Sequence, residues 1–192
     1  FGQNPINVIQ SNQFKQIEIN DTVFQKFSGN VIIEYSDLKI NCDTIMIDQY
    51  KNNIRGWGNL YISNDTLTCS SDSAIIRQLN NTVTFLNNSI LTTSNIKITS
   101  HNIKYDFKEE IISYSNSGTV TMDNLDVKSR DFKYDLDTKK SFFDTNVYLS
   151  NSEYIIEGHD MMYNNQVLSF FGPTQISHTD FIMNCQQGSF EQ

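Results

Sequence analysis

Tyrosine recurs every 29 residues in the second half of the chain. Tyr105, Tyr134 and Tyr163 open the segments YDFK, YDLD and YNNQ, so a turn-forming Asp or Asn follows the aromatic residue each time. Gly29 and Gly58 begin Gly-Asn steps at the same spacing. A fixed period of this length indicates a stacked repeat architecture, in which each unit buries its apolar face against its neighbours.

Each unit contains two short segments in which apolar and polar residues alternate, the pattern of half-buried strands. First segments follow a Gly or Asn, as in Val31-x-Ile33, and second segments, as in Leu38-x-Ile40, lead towards a Tyr-Asp corner. Aromatic residues make up 12% of the chain, and Ile, Val and Thr are plentiful, which favours strands. We predict that first strands form one sheet and second strands another, with both apolar faces inward.

The predicted architecture is a long, narrow, all-β sandwich that occupies residues 1–192 as a single domain. No Pro-rich linker divides the chain. Such an array leaves unpaired backbone groups at each end, which invites further stacking, unless residues 1–20 and those after Thr179 cover the ends. A three-sided β-helix is the competing geometry, but its turns commonly need fewer residues.

The net charge of the chain excludes several classes of binding partner. With 14 Lys and Arg and a net charge of -8, the chain lacks the basic surface that a phosphate backbone requires, so we expect no nucleic-acid partner. The net negative charge also excludes attachment to anionic lipid surfaces through a polybasic segment. It does not exclude binding of fatty chains through apolar surface area. No run of 18 apolar residues occurs, and we expect a soluble chain without a signal peptide.

The three cysteines, Cys42, Cys69 and Cys185, have neither CxxC spacing nor nearby histidine pairs, so we expect no metal site and no cofactor. Cys42 and Cys69 lie at similar places in neighbouring repeats. A disulfide between them in an oxidising compartment, or two small buried side chains, are both open interpretations.

No catalytic cluster is predicted. His101 and His159 share a repeat position with Arg130, which favours exposed turn residues over acid-base catalysis. Asp106 and Asp135 follow equivalent tyrosines, and turn formation explains them better than a glycosidase carboxylate pair. Nucleophile-elbow, P-loop and HExxH motifs do not occur. We expect a protein that is not an enzyme.

Four segments in order carry a family resemblance. They are GNVIIEYSDLKINCDTIMID, GWGNLYISNDTLT, the Tyr-Asp corners, and FFGPTQIS at Phe170–Ser177. The chain resembles the OstA-like, lipopolysaccharide-transport protein A family, in particular its Bacteroidetes-type branch, over Ile17–Ser177. It departs from the pattern where Asn81-Thr82-Val83 replaces the usual Gly-Asn-Val.

The resemblance implies an elongated, open β-jellyroll of the periplasm, folded like a taco, that carries lipopolysaccharide between the inner and outer membranes. It also implies head-to-tail self-association or pairing with other β-jellyroll transport components. Family members often run on beyond the GPT step at Gly172–Thr174, so a chain truncated at its C-terminus is an open interpretation.

Thirteen inward residues are predicted to line an apolar groove that binds acyl chains. They are Val31, Ile33, Ile40, Ile62, Phe85, Ile98, Val120, Met122, Phe132, Tyr134, Val147, Leu149 and Ile156. Alternation alone also fits a permanently filled core, so a structural β-solenoid scaffold is the alternative to a lipid carrier. A carbohydrate-active β-helix enzyme is the third hypothesis.

Overall fold

The computed structural model describes residues 6–48, 53–123 and 125–191. These residues form sixteen β-strands and one 3-10 turn, Gln78–Asn80, and no helix among them could span a membrane. The strands are β1 (Ile6–Gln10), β2 (Gln13–Ile19), β3 (Thr22–Tyr35), β4 (Leu38–Asp48), β5 (Asn53–Ser63), β6 (Leu67–Arg77), β7 (Thr82–Thr93), β8 (Ile96–Asp106), β9 (Ile111–Tyr114), β10 (Gly118–Met122), β11 (Leu125–Ser129), β12 (Asp131–Asp135), β13 (Lys140–Ser150), β14 (Ile155–Asn164), β15 (Val167–Ser177) and β16 (Ile182–Glu191).

All sixteen strands belong to one antiparallel sheet in which strands that follow one another in the chain are mostly neighbours. β9 and β10 together occupy one strand position, and β11 and β12 the next, because β9 pairs with β12 while β10 pairs with β11. Two strands therefore correspond to each 29-residue unit, which confirms the predicted all-β jellyroll of stacked repeats.

Each long strand bends near its middle, where its register with the neighbouring strands shifts. On alternate strands the bend carries two successive residues with positive φ, spaced by 29 residues: Gly29–Asn30, Gly58–Asn59, Asn87–Asn88, Asn116–Ser117 and Thr145–Asn146. Glycine and asparagine tolerate this left-handed conformation better than other residues. The strand register shifts at these points, as between Ser28 and Val31, and a bulge of this kind turns a strand without ending its pairing.

The bends divide the sheet into two faces that fold over one core. Face 1 comprises the strand residues within 6–10, 31–42, 60–71, 89–100, 118–129, 147–158 and 174–185, and face 2 those within 13–28, 44–57, 73–86, 102–114, 131–144, 160–171 and 187–191. Contacts join the faces, for example the Ser141 hydroxyl and the Met122 sulfur at 3.8 Å.

The predicted division into sheets of first and second strands is wrong. Val31 pairs with Cys42 and Ile33 with Ile40, so the two predicted strands of a unit are neighbours on face 1. Face 2 is built from the other half of the same strands. Because the bulge preserves pairing, one strand contributes to both faces.

The counterpart of Gly29–Asn30 in the third unit is also different from the one predicted. Asn87–Asn88, rather than Asn81-Thr82, has the repeated positive φ pair. Phe85 therefore lies on face 2, whereas Ile33 and Ile62 lie on face 1.

Candidate functional site

Inward side chains form continuous rows across the strands, because residues paired in antiparallel strands point to the same side of a sheet. Row 1, on face 1, takes one residue from each of thirteen strands: Val8, Ile33, Ile40, Ile62, Cys69, Leu91, Ile98, Val120, Val127, Leu149, Ile156, Ile176 and Met183. With strands about 4.8 Å apart, row 1 extends over roughly 58 Å.

Two rows of face 2 lie opposite. Row 2 comprises Phe27, Ile45, Gly56, Ala74, Phe85, Ile103, Tyr114, Phe132, Phe143, Met161, Phe170 and Gly188. Row 3 comprises Gln25, Ile47, Ile54, Ile76, Val83, Tyr105, Ile112, Tyr134, Ser141, Tyr163, Leu168 and Phe190. The interior is therefore apolar along almost its whole length.

All thirteen predicted groove residues point into this interior, and none is more than 4% exposed. Seven of them belong to row 1, three lie beside row 1 on face 1 (Val31, Met122 and Val147), and the other three lie in rows 2 and 3. Their side chains pack against one another in one core. The structure thus shows a filled interior, and whether these residues contact a ligand stays a prediction.

Sequence reasoning missed several members of the rows. Tyr114 and Phe143 follow Phe85 at intervals of 29 and 58 residues and occupy the same place in row 2. The repeat spacing applied to Phe85 would have found both. Ile45 and Ile54 were missed because no Gly-Asn step precedes them.

The hairpin turns of face 1, such as the one between Met122 and Leu125, meet those of face 2, such as the one between Asn164 and Val167. We call this line of turns the mouth. There, the Tyr163 hydroxyl on face 2 donates a hydrogen bond to the Asp123 carboxylate on face 1, at 2.6 Å. Burial, and then this hydrogen bond and the charge of Asp123, raise the pKa of Tyr163. The phenol therefore stays protonated as a donor that ties the faces together.

A cavity of about 170 Å³ adjoins this contact. Asn95 and Asp123 line it from face 1, and Lys139 and Tyr163 from face 2. Met122, a buried groove residue, also lines the cavity. The cavity therefore borders both exposed residues of the mouth and buried residues of the interior.

A second contact across the mouth involves Tyr105. Burial raises its pKa to about 12, the carboxylates of Asp37 and Glu110 add to the rise, and a hydrogen bond with Asn64 opposes it. Asn64 also donates to Asp37 at 2.6 Å. Two of the three tyrosines that define the sequence repeat thus close the mouth.

The cysteines are free thiols. Cys69 pairs with Ile62 on β5, which pairs with Ile40 on β4, the strand that carries Cys42. Two strand spacings are about 9.6 Å, too far for a disulfide without backbone movement, so the disulfide interpretation is wrong for this structure. Burial raises the pKa of Cys42 to about 11 and that of Cys69 further, so both behave as buried apolar groups.

The polar residues considered for catalysis lie at the outer bends and at the hairpin turns of face 2. His101, Arg130 and His159 are exposed at equivalent bends, as predicted. The Asp106 carboxylate accepts the backbone N–H groups two and three residues further on, and Asp135 does the same, which confirms their role in turns.

One cluster at an outer bend has the spacing of metal ligands. Among the residues with described positions, ligand atoms of Asp144, His159 and Asp160 lie within 4.8 Å of one another. His159 and Asp160 also form a direct contact of 2.7 Å. The cluster faces solvent, on the side of the sheet opposite the interior.

Both ends of the array present strands with an edge that is unpaired within residues 6–48, 53–123 and 125–191. β1 and β2 pair with β3 at one end, and β16 pairs with β15 at the other. Row 1 ends on β16 at Met183, which is 50% exposed, beside the exposed Ile182. The apolar interior therefore reaches the surface at β16.

Comparison with known proteins gives one family and a structural likeness. A family model described as OstA-like protein matches residues 3–159. The crystal structure of LptH from Pseudomonas aeruginosa, described as the LptA homologous periplasmic component of the conserved lipopolysaccharide transport device, superposes with a TM-score of 0.52 and 16% identity, covering 58% of this chain and 82% of LptH. That likeness shows a shared fold. A search of curated proteins finds no match.

Proposed function

Because the chain belongs to the OstA-like protein family, we propose that it is a periplasmic carrier that shields the acyl chains of lipopolysaccharide during transport between the two membranes. The observation that carries the proposal is row 1, which offers an unbroken line of apolar side chains along the array. LptH, which is described as a periplasmic component of lipopolysaccharide transport, has the same fold. We infer that this chain performs a similar task.

Free energies explain how an acidic protein can bind an anionic glycolipid. Burying one methylene contributes about 0.8 kcal/mol, so a chain of a dozen carbons gains roughly 10 kcal/mol before ordering costs. An exposed ion pair with a head group contributes only about 0 to 1 kcal/mol. Acyl chains therefore provide the affinity when they lie inside, while the phosphates stay in water.

Admission of a chain requires the two faces to part, since the interior is filled. The mouth is the place where this costs least, because the faces are joined there by side-chain contacts rather than by backbone pairing. Tyr163 and Asp123 form one such contact beside the cavity that reaches Met122. In this mechanism an acyl chain enters between the hairpin turns and displaces core side chains towards the mouth.

Adjacent phenylalanines on β13 provide a matched test. Phe143 is buried in row 2, whereas Phe142 points outward and is 40% exposed. Each is replaced in turn by photoreactive benzoylphenylalanine, and the protein is irradiated with lipopolysaccharide. We expect capture from position 143 and little from 142, and a higher yield at 143 when Tyr163→Phe removes the cross-mouth hydrogen bond. Equal capture at the two positions, or none, would count against an inner binding site.

A scaffold with a permanently filled core is the second candidate, favoured by the low exposure of every predicted groove residue. Such a protein would show no saturable lipid binding. The crosslinking experiment separates the two functions, because a filled scaffold yields no product at position 143 at any lipopolysaccharide concentration.

We also propose end-to-end association, since an unpaired edge strand can add to the edge of another molecule. The supporting observation is β16, where Ile182 and Met183 are exposed beside the free edge. Sedimentation should show mass increasing with concentration, and Met183→Lys should reduce it. Monomers over a wide concentration range would contradict self-association and leave pairing with other β-jellyroll components.

A further inference from the structure

A row of outward residues crosses face 2 close to the mouth, and we call it the basic row. From β2 to β16 it consists of Lys15, Lys26, Met46, Arg55, Ile75, Thr84, Lys104, Ser113, Lys133, Phe142, Met162, Ser169 and Ser189. Five of the 14 Lys and Arg of this acidic chain lie in the row, and no Asp or Glu does. Strand pairing brings the five together between β2 and β12, over roughly 38 Å.

The outward row of face 1 that lies close to the mouth has no such bias. It consists of Asn7, Glu34, Lys39, Ser63, Thr68, Thr92, Lys97, Thr121, Asp126, Ser150, Ile155, Ser177 and Ile182. Two lysines and two carboxylates balance one another there. The excess of positive charge is therefore a property of one side of the mouth.

The cations of the basic row form no ion pair with a residue that the structure describes. Asp106 and Asp135 lie two residues beyond Lys104 and Lys133, but their carboxylates accept backbone N–H groups of the hairpin turns. Lysine on an edge strand protects a sheet from aggregation, which explains Lys15 on β2. It does not explain the cations on the inner strands β5, β8 and β12.

Arg77 fills the widest gap in the row. It lies on β6, and its Nη1 atom donates a hydrogen bond to the Thr84 hydroxyl oxygen at 3.2 Å. From Lys26 to Lys133, neighbouring cations are then at most two strands, or about 10 Å, apart. A point midway between two of them is about 5 Å from each, within the Debye length of about 8 Å at physiological ionic strength. The positive potential is therefore continuous along the row.

We propose that the basic row binds the phosphate groups of lipopolysaccharide while the acyl chains lie in the interior. The proposal rests on the carrier function and adds a second binding surface on the outside of the sheet. Lys104 and Lys133 are two residues from the ends of β8 and β12, so the row lies about 7 Å from the turns of the mouth. A head group that leaves the mouth and folds over face 2 reaches these cations with its phosphates still in water.

The spacing of the cations has a consequence for movement. Exposed ion pairs are individually weak, so no single cation holds a phosphate firmly. A head group can pass from one cation to the next while its acyl chains move along the interior. The row carries no charge from β13 to β16, so the head group loses this contact over the last four strands of the array.

Two double variants provide a matched test, Lys104→Gln with Lys133→Gln and Lys39→Gln with Lys97→Gln. All four lysines are exposed, and each double variant loses two positive charges. The measurement is the lipopolysaccharide concentration that half-saturates photocapture by benzoylphenylalanine at position 143. We expect this concentration to rise about 3- to 10-fold in the face 2 variant and to stay at the wild-type value in the face 1 variant. Lipopolysaccharide without its phosphate groups should give one value for all three proteins.

Equal half-saturation in the two double variants would overturn the role of the basic row and leave the carrier function standing. A difference that persists with dephosphorylated lipopolysaccharide would do the same. Vesicles of phosphatidylglycerol test a membrane surface as the rival partner: the proposal is overturned if only the face 2 variant fails to sediment with them while its lipopolysaccharide capture is unchanged. If the wild-type protein neither captures nor binds lipopolysaccharide, the carrier function falls, and the role of the basic row falls with it.

Discussion

Gly56 and Phe143 occupy the same place in the repeat, three units apart, yet the interior is filled differently around them. At Gly56 the side chain of Leu60 fills the space, and its Cδ1 atom is 2.9 Å from the point where a Cβ of residue 56 would stand. The Cys42 sulfur is 3.6 Å from the same point. At Phe143 an aromatic ring fills the space and packs on Phe132, with centroids 5.0 Å apart. The repeat therefore fixes the backbone and the inward direction but leaves the side-chain volume free to vary.

The region around Phe143 depends on a few large rings. Tyr114 stacks on Phe132 with centroids 5.2 Å apart, so three rings follow one another along row 2. Gly118 makes room for them, because a Cβ at that position would lie 2.7 Å from the Tyr114 ring. The region around Gly56 instead uses many aliphatic groups of moderate size. A single truncation should therefore cost more in the aromatic region.

The largest effect is expected for Phe143→Ala. Removing a fully buried ring should lower the free energy of unfolding by about 3 to 5 kcal/mol, because the rigid neighbours cannot close the cavity. Urea denaturation measures the change. The adjacent Phe142→Ala removes the same atoms from a 40% exposed position and should cost less than about 1 kcal/mol.

Gly56→Ala tests how the aliphatic region around Gly56 responds to a change of side-chain volume. The new methyl group would meet the end of the Leu60 side chain, which can rotate, so the cost should be well below that of Phe143→Ala. If Phe143→Ala and Phe142→Ala were equally mild, the aromatic region would not be the more sensitive one.

Alkaline pH should also act on the aromatic region. Burial raises the pKa of Tyr114 to about 12, and its hydrogen bond with Ser129 only partly opposes this. Since the folded pKa lies above the unfolded value of about 10, this stabilisation is complete below pH 10 and is lost as the pH rises through about 12. We expect the free energy of unfolding to fall by roughly 1 to 2 kcal/mol over that interval.

The matched variants are Tyr114→Phe and Tyr61→Phe. Tyr114→Phe removes the buried ionisable group, so urea denaturation at pH 9 and at pH 11.5 should differ less than in the wild type. Tyr61 is 43% exposed, and its replacement should leave the pH dependence unchanged. An unaltered dependence in Tyr114→Phe would show that the phenol ionises without opening the core.

The sequence predicted the strand content, the repeat length and the inward direction of all thirteen proposed groove residues, because alternation depends only on local burial. It did not predict that one strand serves both faces. Gly29–Asn30 resembles the start of a strand, but here it is a bulge inside β3, and a bulge leaves no gap in the pairing. Such a continuation is a tertiary property that a local pattern does not contain.

Ser89 explains the misplaced third unit in physical terms. The residue that follows Asn87–Asn88 is a buried serine where Val31 and Leu60 stand in the first two units, so the apolar signal at this bend is missing. The next apolar alternation upstream, at Val83 and Phe85, resembles a first strand instead. The sequence pattern could not predict the cross-mouth contact of Tyr163 with Asp123 either, because this contact joins residues 40 positions apart.

The smallest effect concerns the bends themselves, which differ between the two regions. Gly29 and Gly58 supply the first positive φ of the early bends, whereas Thr145, with φ of 59°, does so near Phe143. A β-branched residue is strained in this conformation, and asparagine is not. Thr145→Asn should therefore raise the free energy of unfolding by about 0.5 to 1 kcal/mol, measured by urea denaturation.

Thr121→Asn is the control for that substitution. Both threonine hydroxyl groups donate to an aspartate carboxylate, Thr145 to Asp144 at 2.7 Å and Thr121 to Asp126 at 2.8 Å. Thr121, however, lies inside strand β10 and has no positive φ. Since asparagine is disfavoured in strands, Thr121→Asn should lower stability while Thr145→Asn raises it. Two changes of the same sign would mean that the bend at Thr145 is not strained and that both regions turn the strand equally well.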